Sequence, residues 1–169
     1  WDPQKNHRVF FEAIQKLRSR YSDINVWLCG GRGITEKNSE LMSLVEECGL
    51  KDIVHLLGCV DDLVEFYSGL DVFTLVSKGE GFPLVLLEAM SCELACVANN
   101  VGDVANLMRS SQGLVKDVQP NQLCEMWGSL IDMGKSKRQA IGSANRELVV
   151  KDFSSDLMVS KYLNLYADM

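Results

Sequence analysis

The sequence has little of several features that would take it outside the ordinary globular proteins. It contains three prolines and two histidines among 169 residues, and its six cysteines form no Cys-x-x-Cys pair. With so few histidines and no ligand spacing, we expect no zinc or other metal site. The cysteines are typical of small buried thiols in a reducing compartment. No apolar run reaches the roughly 18 residues that would span a bilayer, which excludes a transmembrane helix.

The charge balance also excludes some partners. There are 17 basic and 23 acidic side chains, for a formal net charge of −6. An acidic protein is poorly suited to bulk binding of nucleic acid, so we expect no nucleic-acid partner. An anionic ligand would have to be held locally, by a few cations or by backbone N–H groups. The length and the apolar content of 47% predict a single globular domain over residues 1–169. The unpaired cysteines favour the cytoplasm as its compartment.

Short apolar runs alternate with helical patterns along the chain. Strands are predicted at residues 24–31, 53–58, 71–77, 94–100 and 113–117. Helices are predicted at residues 7–21, 35–48, 61–68, 121–133 and 136–151, from Pro83 onward, and in a C-terminal segment, 153–169, whose helical pattern covers 155–167. A short segment near residues 104–109 is not assigned to either type. This alternation predicts an α/β fold with a Rossmann-like, doubly wound parallel sheet, in which Trp27 belongs to the core. In such sheets, ligands bind beyond the carboxyl ends of the strands.

The most informative segment, Ser77–Met90, follows the third predicted strand. Glu80 lies in a glycine-flanked loop, and Pro83 opens a helix whose first N–H groups form a potential anion site. Glu88 follows about 12 Å further along that helix, which is too far for the paired acids of a hydrolase. The spacing suits two hydroxyl-bearing groups on opposite sides of a phosphate. A nucleoside diphosphate sugar has that shape.

The segment SKGEGFPLVLLEAM resembles the Glu-x7-Glu signature of retaining glycosyltransferases of the GT-B fold, the family called glycosyl transferases group 1. The segments KNHRVFFEAIQKL, VWLCGG, VHLLGCVDDLVEFYSGLDVFTLVS and CVANNVGD also follow the order of that family. The resemblance covers roughly Pro3 to Met108. It implies two catalytic residues, Lys5 at the donor diphosphate and Glu80 at the transferred sugar, with Glu88 at the ribose hydroxyls. It further implies a donor cleft formed by Gly30 or Gly31, by the backbone of Gly81, Phe82, Pro83 and Leu84, and by the backbone near His55–Leu57 at the base.

The resemblance implies the donor-binding half of an enzyme that moves a hexose from a UDP-, GDP- or ADP-sugar to a glycan or lipid-linked acceptor. No metal or cofactor is expected, because the lysine, an arginine and the helix N-terminus offset the charge of the diphosphate. A separate N-terminal domain would bind the acceptor and could contact the inner membrane peripherally. The isolated chain is expected to bind donor weakly and to transfer nothing.

The chain departs from the family pattern at its start, where the first and central strand and its arginine are missing. We therefore expect strands 24–31 and 71–77 to border an open slot, with a domain swap, strand exchange or unusual edge pairing as the consequence. Glu93 and Asp103 replace common glycines, and Ala95 a common proline, with small expected effects. A non-catalytic α/β interaction module stays open as an alternative. So does a sugar-nucleotide epimerase of the same fold, which would need further acid and histidine groups such as His55.

Overall fold

Strands alternate with helices along the chain in this computed structural model, which describes residues 2–31, 33–109 and 112–167. The strands are β1 (Val26–Cys29), β2 (Val54–Gly58), β3 (Val72–Leu75), β4 (Ala95–Asn99) and β5 (Leu114–Val115). The helices are α1 (His7–Arg18), α2 (Ser39–Glu47), α3 (Leu63–Ser68), α4 (Leu84–Ser91), α5 (Val104–Leu107), α6 (Pro120–Asp132), α7 (Lys135–Phe153) and α8 (Ser155–Ala167). Every predicted strand and helix is therefore present, with shifted ends.

The parallel sheet is divided into two pieces. In the described part of the chain, β1 pairs only with β2, while β3, β4 and β5 form the second piece in that order. β1 and β3 are therefore not paired with each other, which leaves a gap in the hydrogen bonding of the sheet between them. At the carboxyl end of this gap, the Lys78 N–H donates to the Gln4 carbonyl at 2.7 Å. The short 3-10 turn Pro3–Lys5 thus begins beside the end of β3.

Helices cover both faces of the second sheet piece. Along β4, Ala95 and Val97 belong to a core shared with α1, α2 and α6, whereas Cys96 and Ala98 belong to a core shared with α4 and α5. This alternation is the two-residue period of a strand that is buried on both faces. The first core also contains Val26 of β1. Apolar packing on that face therefore joins the two pieces of the sheet in place of hydrogen bonds.

The prediction that Trp27 belongs to the core is wrong. Its side chain is 46% exposed and stacks on His55 of the neighbouring strand, with ring centroids 4.1 Å apart. Leu57 on the same face is also exposed, at 42%. The core that covers β3 and β4 on this side does not extend over β1 and β2. Because that core does not cover this face of β1 and β2, Trp27 stays partly in solvent although it is hydrophobic.

Three local features differ from the sequence-based expectation. Pro83 precedes the helix as its N-cap, with φ −77° and ψ 95°, and α4 begins at Leu84. The C-terminal helix begins at Ser155 and not at residue 153, because Ser154 is extended at ψ 150° and ends α7. Residues 168 and 169 of that prediction lie outside the described residues. Glu93 has φ 61°, the left-handed region in which a glycine is relaxed.

Candidate functional site

The Glu80 carboxylate is held by two donors from different parts of the chain. The Lys5 ammonium donates to Oε1 at 2.7 Å, and the Ser77 hydroxyl donates to the same oxygen at 2.5 Å. The Glu80 side chain is only 14% exposed, and that of Lys5 is 45% exposed. Among the described residues, no hydrogen bond reaches Oε2. The structure thus brings together the two predicted catalytic residues and leaves one carboxylate oxygen able to accept from a ligand.

The surroundings of Glu80 determine its protonation. Burial by itself raises the pKa of the carboxyl, but the hydrogen bonds from Lys5 and Ser77 outweigh it, so the pKa lies below its usual value. The group is therefore ionised at neutral pH, and an ionised carboxylate only accepts hydrogen bonds. This state suits a residue that holds sugar hydroxyls, and it does not suit a general acid.

Two buried polar residues and one glycine support the Glu80 loop. Ser77 is 1% exposed, and its carbonyl accepts from the Asn99 amide at 2.7 Å. A Cβ at Gly102 would lie 2.0 Å from the Glu80 carbonyl oxygen, so the two loops pack backbone against backbone. Gly81 is fixed as well, because its carbonyl accepts the Asp103 N–H at 3.0 Å. The sequence predicted the positions of these strand ends but not the supporting contacts.

The other predicted donor-binding residues of this loop lead into α4. Phe82 is 47% exposed, with its ring 6.2 Å from that of Phe153 at the end of α7. Pro83 is buried and makes no side-chain cap bond to the helix, and Leu84 at the first helical position is 62% exposed. The first N–H groups of α4 therefore begin four residues beyond Glu80 and are oriented along the helix axis, where an anion is stabilised.

Glu88 is anchored in the same manner as Glu80. It is an exposed residue of α4, but its Oε2 accepts a hydrogen bond from the hydroxyl of the buried Tyr67 at 3.1 Å. No hydrogen bond to its Oε1 is present in the part of the chain that the structure describes. Glu88 is therefore more than a solvated acid on a helix surface. Tyr67 lies 21 residues earlier, and nothing in the local sequence pattern indicates that it contacts Glu88.

Gly30 and Gly31 lie at the carboxyl end of β1, across the gap from β3. Gly30 has φ 154° and donates to the Gly58 carbonyl at 2.8 Å, and the Gly31 carbonyl accepts the Ile34 N–H at 3.1 Å. A Cβ on Gly31 would meet no atom within 4 Å. Among the described residues, no hydrogen bond links these glycines to Glu80. Gly30 and Gly31 follow the carboxyl end of β1, and Glu80 follows the carboxyl end of β3. The donor-binding role of the two glycines stays a prediction.

A cavity of about 530 Å³ lies away from all of these predicted site residues except Leu57, whose backbone was expected near the base. It is lined by Trp27, Leu57, Val60, Asp61, Asp62, Glu65, Phe66, Gly69 and Leu70. Its lining combines apolar side chains with three acids and contains no cation, so it would repel a diphosphate. Within residues 2–31, 33–109 and 112–167, no group of three or more His, Cys, Asp or Glu side chains is placed to hold a metal ion.

Comparison with known proteins identifies the family. Residues 1–132 match the family model described as "Glycosyl transferases group 1". The chain is 30% identical over 175 residues to UDP-Gal:alpha-D-GlcNAc-diphosphoundecaprenol alpha-1,3-galactosyltransferase of Escherichia coli, which covers 99% of this chain and 43% of that protein. It is 29% identical over 137 residues to N-acetyl-alpha-D-glucosaminyl L-malate synthase of Bacillus anthracis, which covers 76% of this chain and 34% of that protein.

Solved structures confirm the fold. A glycosyltransferase from Rickettsia africae ESF-5 superposes with a TM-score of 0.87 at 22% identity, covering 98% of this chain and 44% of that one. Anabaena Alr3699/HepE, solved in complex with UDP and glucose, has a TM-score of 0.87 at 20% identity, covering 100% of this chain and 46% of that one. The chain thus spans less than half the length of these relatives. The expected α/β, Rossmann-like fold of GT-B type is confirmed, and the chain belongs to the group 1 glycosyltransferase family.

Proposed function

We propose that this chain binds the donor of a retaining glycosyltransferase, a nucleoside diphosphate sugar. One observation carries the proposal. Glu80 lies four residues before α4 and Glu88 is the fifth residue of that helix, and each is anchored through one carboxylate oxygen while its other oxygen has no hydrogen bond among the described residues. Two pre-oriented acceptors on either side of a helix N-terminus suit a ligand with hydroxyl groups on both sides of a diphosphate.

The proposal assigns residues of this chain to the diphosphate, the transferred hexose and the ribose of the donor. Lys5 and the first N–H groups of α4 bind the diphosphate and offset the charge that develops as it leaves, so no metal is needed for that task. Oε2 of Glu80 accepts from hydroxyls of the transferred hexose. Oε1 of Glu88 accepts from the ribose hydroxyls. The backbone from Gly81 to Leu84 contacts the phosphates and the sugar, and Gly30 or Gly31 lines the cleft.

The base and the acceptor belong to the same proposal. UDP, GDP and ADP are all candidates, and UDP comes first because it is bound in Alr3699/HepE and UDP-Gal is named for the Escherichia coli relative. The acceptor is a glycan or a lipid-linked sugar, as the diphosphoundecaprenol in that relative's name suggests. No helix among the described residues is long and apolar enough to cross a membrane. We propose that a separate acceptor-binding domain makes a peripheral contact with the membrane.

Calorimetry with UDP, GDP and ADP tests the proposal. We expect weak binding of one nucleotide by the wild-type chain and no sugar transfer by the chain alone. Glu88→Ala should weaken that binding by about 1–3 kcal/mol, roughly 5-fold to 150-fold, as for a hydrogen-bonded group left unpaired. Glu47→Ala is the matched control, because Glu47 is an exposed helical acid that pairs with Arg8 on another surface.

The outcomes separate the alternatives. No binding of any nucleotide by the wild type would favour a non-catalytic interaction module. Equal binding by wild type and Glu88→Ala would remove Glu88 from the site. An epimerase would convert a UDP-sugar to its epimer, which NMR of the incubated sugar nucleotide would detect.

We also propose that the open edges of β1 and β3 lead to a strand-exchanged or edge-paired oligomer. Two parallel edges without a partner expose rows of N–H and C=O groups, which favour pairing with another copy of the chain. Size-exclusion chromatography with light scattering measures the mass directly. A stable monomer over a wide range of concentrations would contradict this proposal and would leave the donor-binding proposal intact.

A further inference from the structure

Tyr67 is the one side chain that joins α3 to the Glu88 carboxylate in the described structure. Its hydroxyl lies 3.1 Å from Glu88 Oε2 and 3.5 Å from the carbonyl oxygen of Val85 in the preceding turn. The residue is 4% exposed, whereas Glu88 is exposed. The hydrogen bond thus runs from a fixed, buried ring to an acid at the surface.

We propose that Tyr67 is a positioning residue that orients the Glu88 carboxylate toward the ribose hydroxyls of the donor. This inference rests on the proposed function, since it assigns a role to Tyr67 in the same site. It adds that the ribose interaction depends on an element, α3, that supplies none of the predicted ligand contacts.

The packing around Tyr67 fixes the position of its hydroxyl. The ring makes edge contacts with Phe66 and Phe73, with centroids 5.7 and 5.8 Å apart, and it belongs to the core between α4 and β4. Tyrosine has only two side-chain torsions, and both are restricted by this packing. A glutamate at the surface of a helix loses rotamer freedom when it binds a ligand, at a cost of about 0.5–1.5 kcal/mol. Because the hydrogen bond to Oε2 already restricts the Glu88 side chain in the folded protein, part of this rotamer freedom is lost before the ligand binds and does not reduce the affinity.

The hydroxyl is suited to act as a permanent donor. Burial raises the pKa of Tyr67, and the negative charge of Glu88 raises it further. The phenol therefore stays protonated throughout the neutral range. Because the proton of the hydroxyl is directed at Oε2, Oε1 is left to accept from the ligand.

Removing the Tyr67 hydroxyl tests the orientation of the Glu88 carboxylate without removing its charge. Tyr67→Phe keeps the buried ring and the Glu88 carboxylate, which is exposed and becomes hydrated. We expect the affinity for UDP to fall about 2-fold to 12-fold, the rotamer cost expressed as a ratio. The affinity for 2′,3′-dideoxy-UDP, which lacks both ribose hydroxyls, should not change.

The test measures dissociation constants for UDP and 2′,3′-dideoxy-UDP by ligand-observed NMR on wild type, Tyr67→Phe and Tyr21→Phe. Tyr21 is the matched control, because its hydroxyl donates to Asp132 at 2.7 Å, a tyrosine–carboxylate pair outside the site. The wild type and Tyr21→Phe should prefer UDP over the dideoxy analogue by the same factor, and in Tyr67→Phe that factor should be about 2-fold to 12-fold smaller. Urea unfolding of each variant shows whether the compared proteins are folded.

The outcomes distinguish the proposed donor-binding function from the positioning role of Tyr67. If the wild type binds neither nucleotide, or binds both equally, the proposed function or the ribose role of Glu88 fails. If the wild type prefers UDP and Tyr67→Phe keeps the same preference, the positioning role of Tyr67 is refuted while the proposed function stands. An equal loss of affinity for both nucleotides in Tyr67→Phe would also refute it, since a purely structural defect acts in that way.

Discussion

Replacing Gly102 by alanine is expected to damage the Glu80 loop more than any ordinary change at a turn. Gly102 has φ 52°, and a Cβ there would lie 2.0 Å from the Glu80 carbonyl oxygen and 2.5 Å from that of Gly81. Both distances are far below van der Waals contact. The obstacle is backbone, which cannot rotate out of the way as a side chain does.

Two costs add at this position. A left-handed φ costs a residue with a Cβ about 1–2 kcal/mol, and overpacking against rigid neighbours costs about 1–3 kcal/mol more. We therefore expect Gly102→Ala to lower the free energy of unfolding by about 2–5 kcal/mol. Because the clash is with Glu80 and Gly81 themselves, relief by movement of the loop would displace the predicted sugar-binding carboxylate.

Gly49→Ala carries only the first of these two costs, so the difference between the two variants measures the second. Gly49 has a similar φ of 66°, but a Cβ there would meet no heavy atom within 4 Å. This control should lose only the 1–2 kcal/mol of the backbone conformation. Urea unfolding of the wild type and both variants, with equal slopes, gives the difference directly. If the two variants lose the same free energy of unfolding, Gly102 does not pack against the backbone of Glu80 and does not support that loop.

Other substitutions test other features. Glu93 has φ 61°, so Glu93→Gly should relieve about 1–2 kcal/mol of backbone strain, offset by about 0.4–1 kcal/mol because glycine makes the unfolded chain more flexible. We therefore expect the free energy of unfolding to rise by about 0.5–1 kcal/mol, and a fall measured by urea unfolding would contradict this. Gly142→Ala should lower it by about 1–3 kcal/mol, since the new Cβ would lie too close to the carbonyl oxygen of Glu93, and an unchanged midpoint would refute the packing. Burial lowers the pKa of His7 from 6.5 to about 4, so the unfolded chain binds the proton first and stability is lost as the pH falls through that window. His7→Gln should flatten the fall between pH 6.5 and 4, and an unchanged profile of unfolding free energy against pH would show that His7 does not cause it.

The hydrophobic pattern was sufficient to predict the kinds and order of the elements. The short, nearly continuous apolar run of β4 and the helical spacing of α1 result from the geometry and burial of each element, and both are visible in neighbouring residues. The expected gap between strands 24–31 and 71–77 came from the resemblance to the family, and among the described residues β1 and β3 are not paired with each other. The hydrophobic pattern failed for Trp27, because an apolar residue in a strand is buried only if a helix covers that face.

The candidate site was predicted only in part, for the same reason. The Glu80 loop and the helix that carries Glu88 form one continuous segment, so their spacing and their place at the end of β3 could be derived from the sequence. The supporting role of Ser77 and Asn99 was not predicted, because in the sequence both look like ordinary polar residues at strand ends. This role is visible only from their hydrogen bonds in the structure.

The sequence alone determined the alternation of strands and helices and the acid pair around a helix start, because each depends on residues close together in the chain. The tertiary structure decided which oxygen of each acid stays available. The bonds from Lys5 to Glu80 and from Tyr67 to Glu88 join residues that are 75 and 21 positions apart. Such contacts depend on how the elements pack, and no local period in the sequence encodes them.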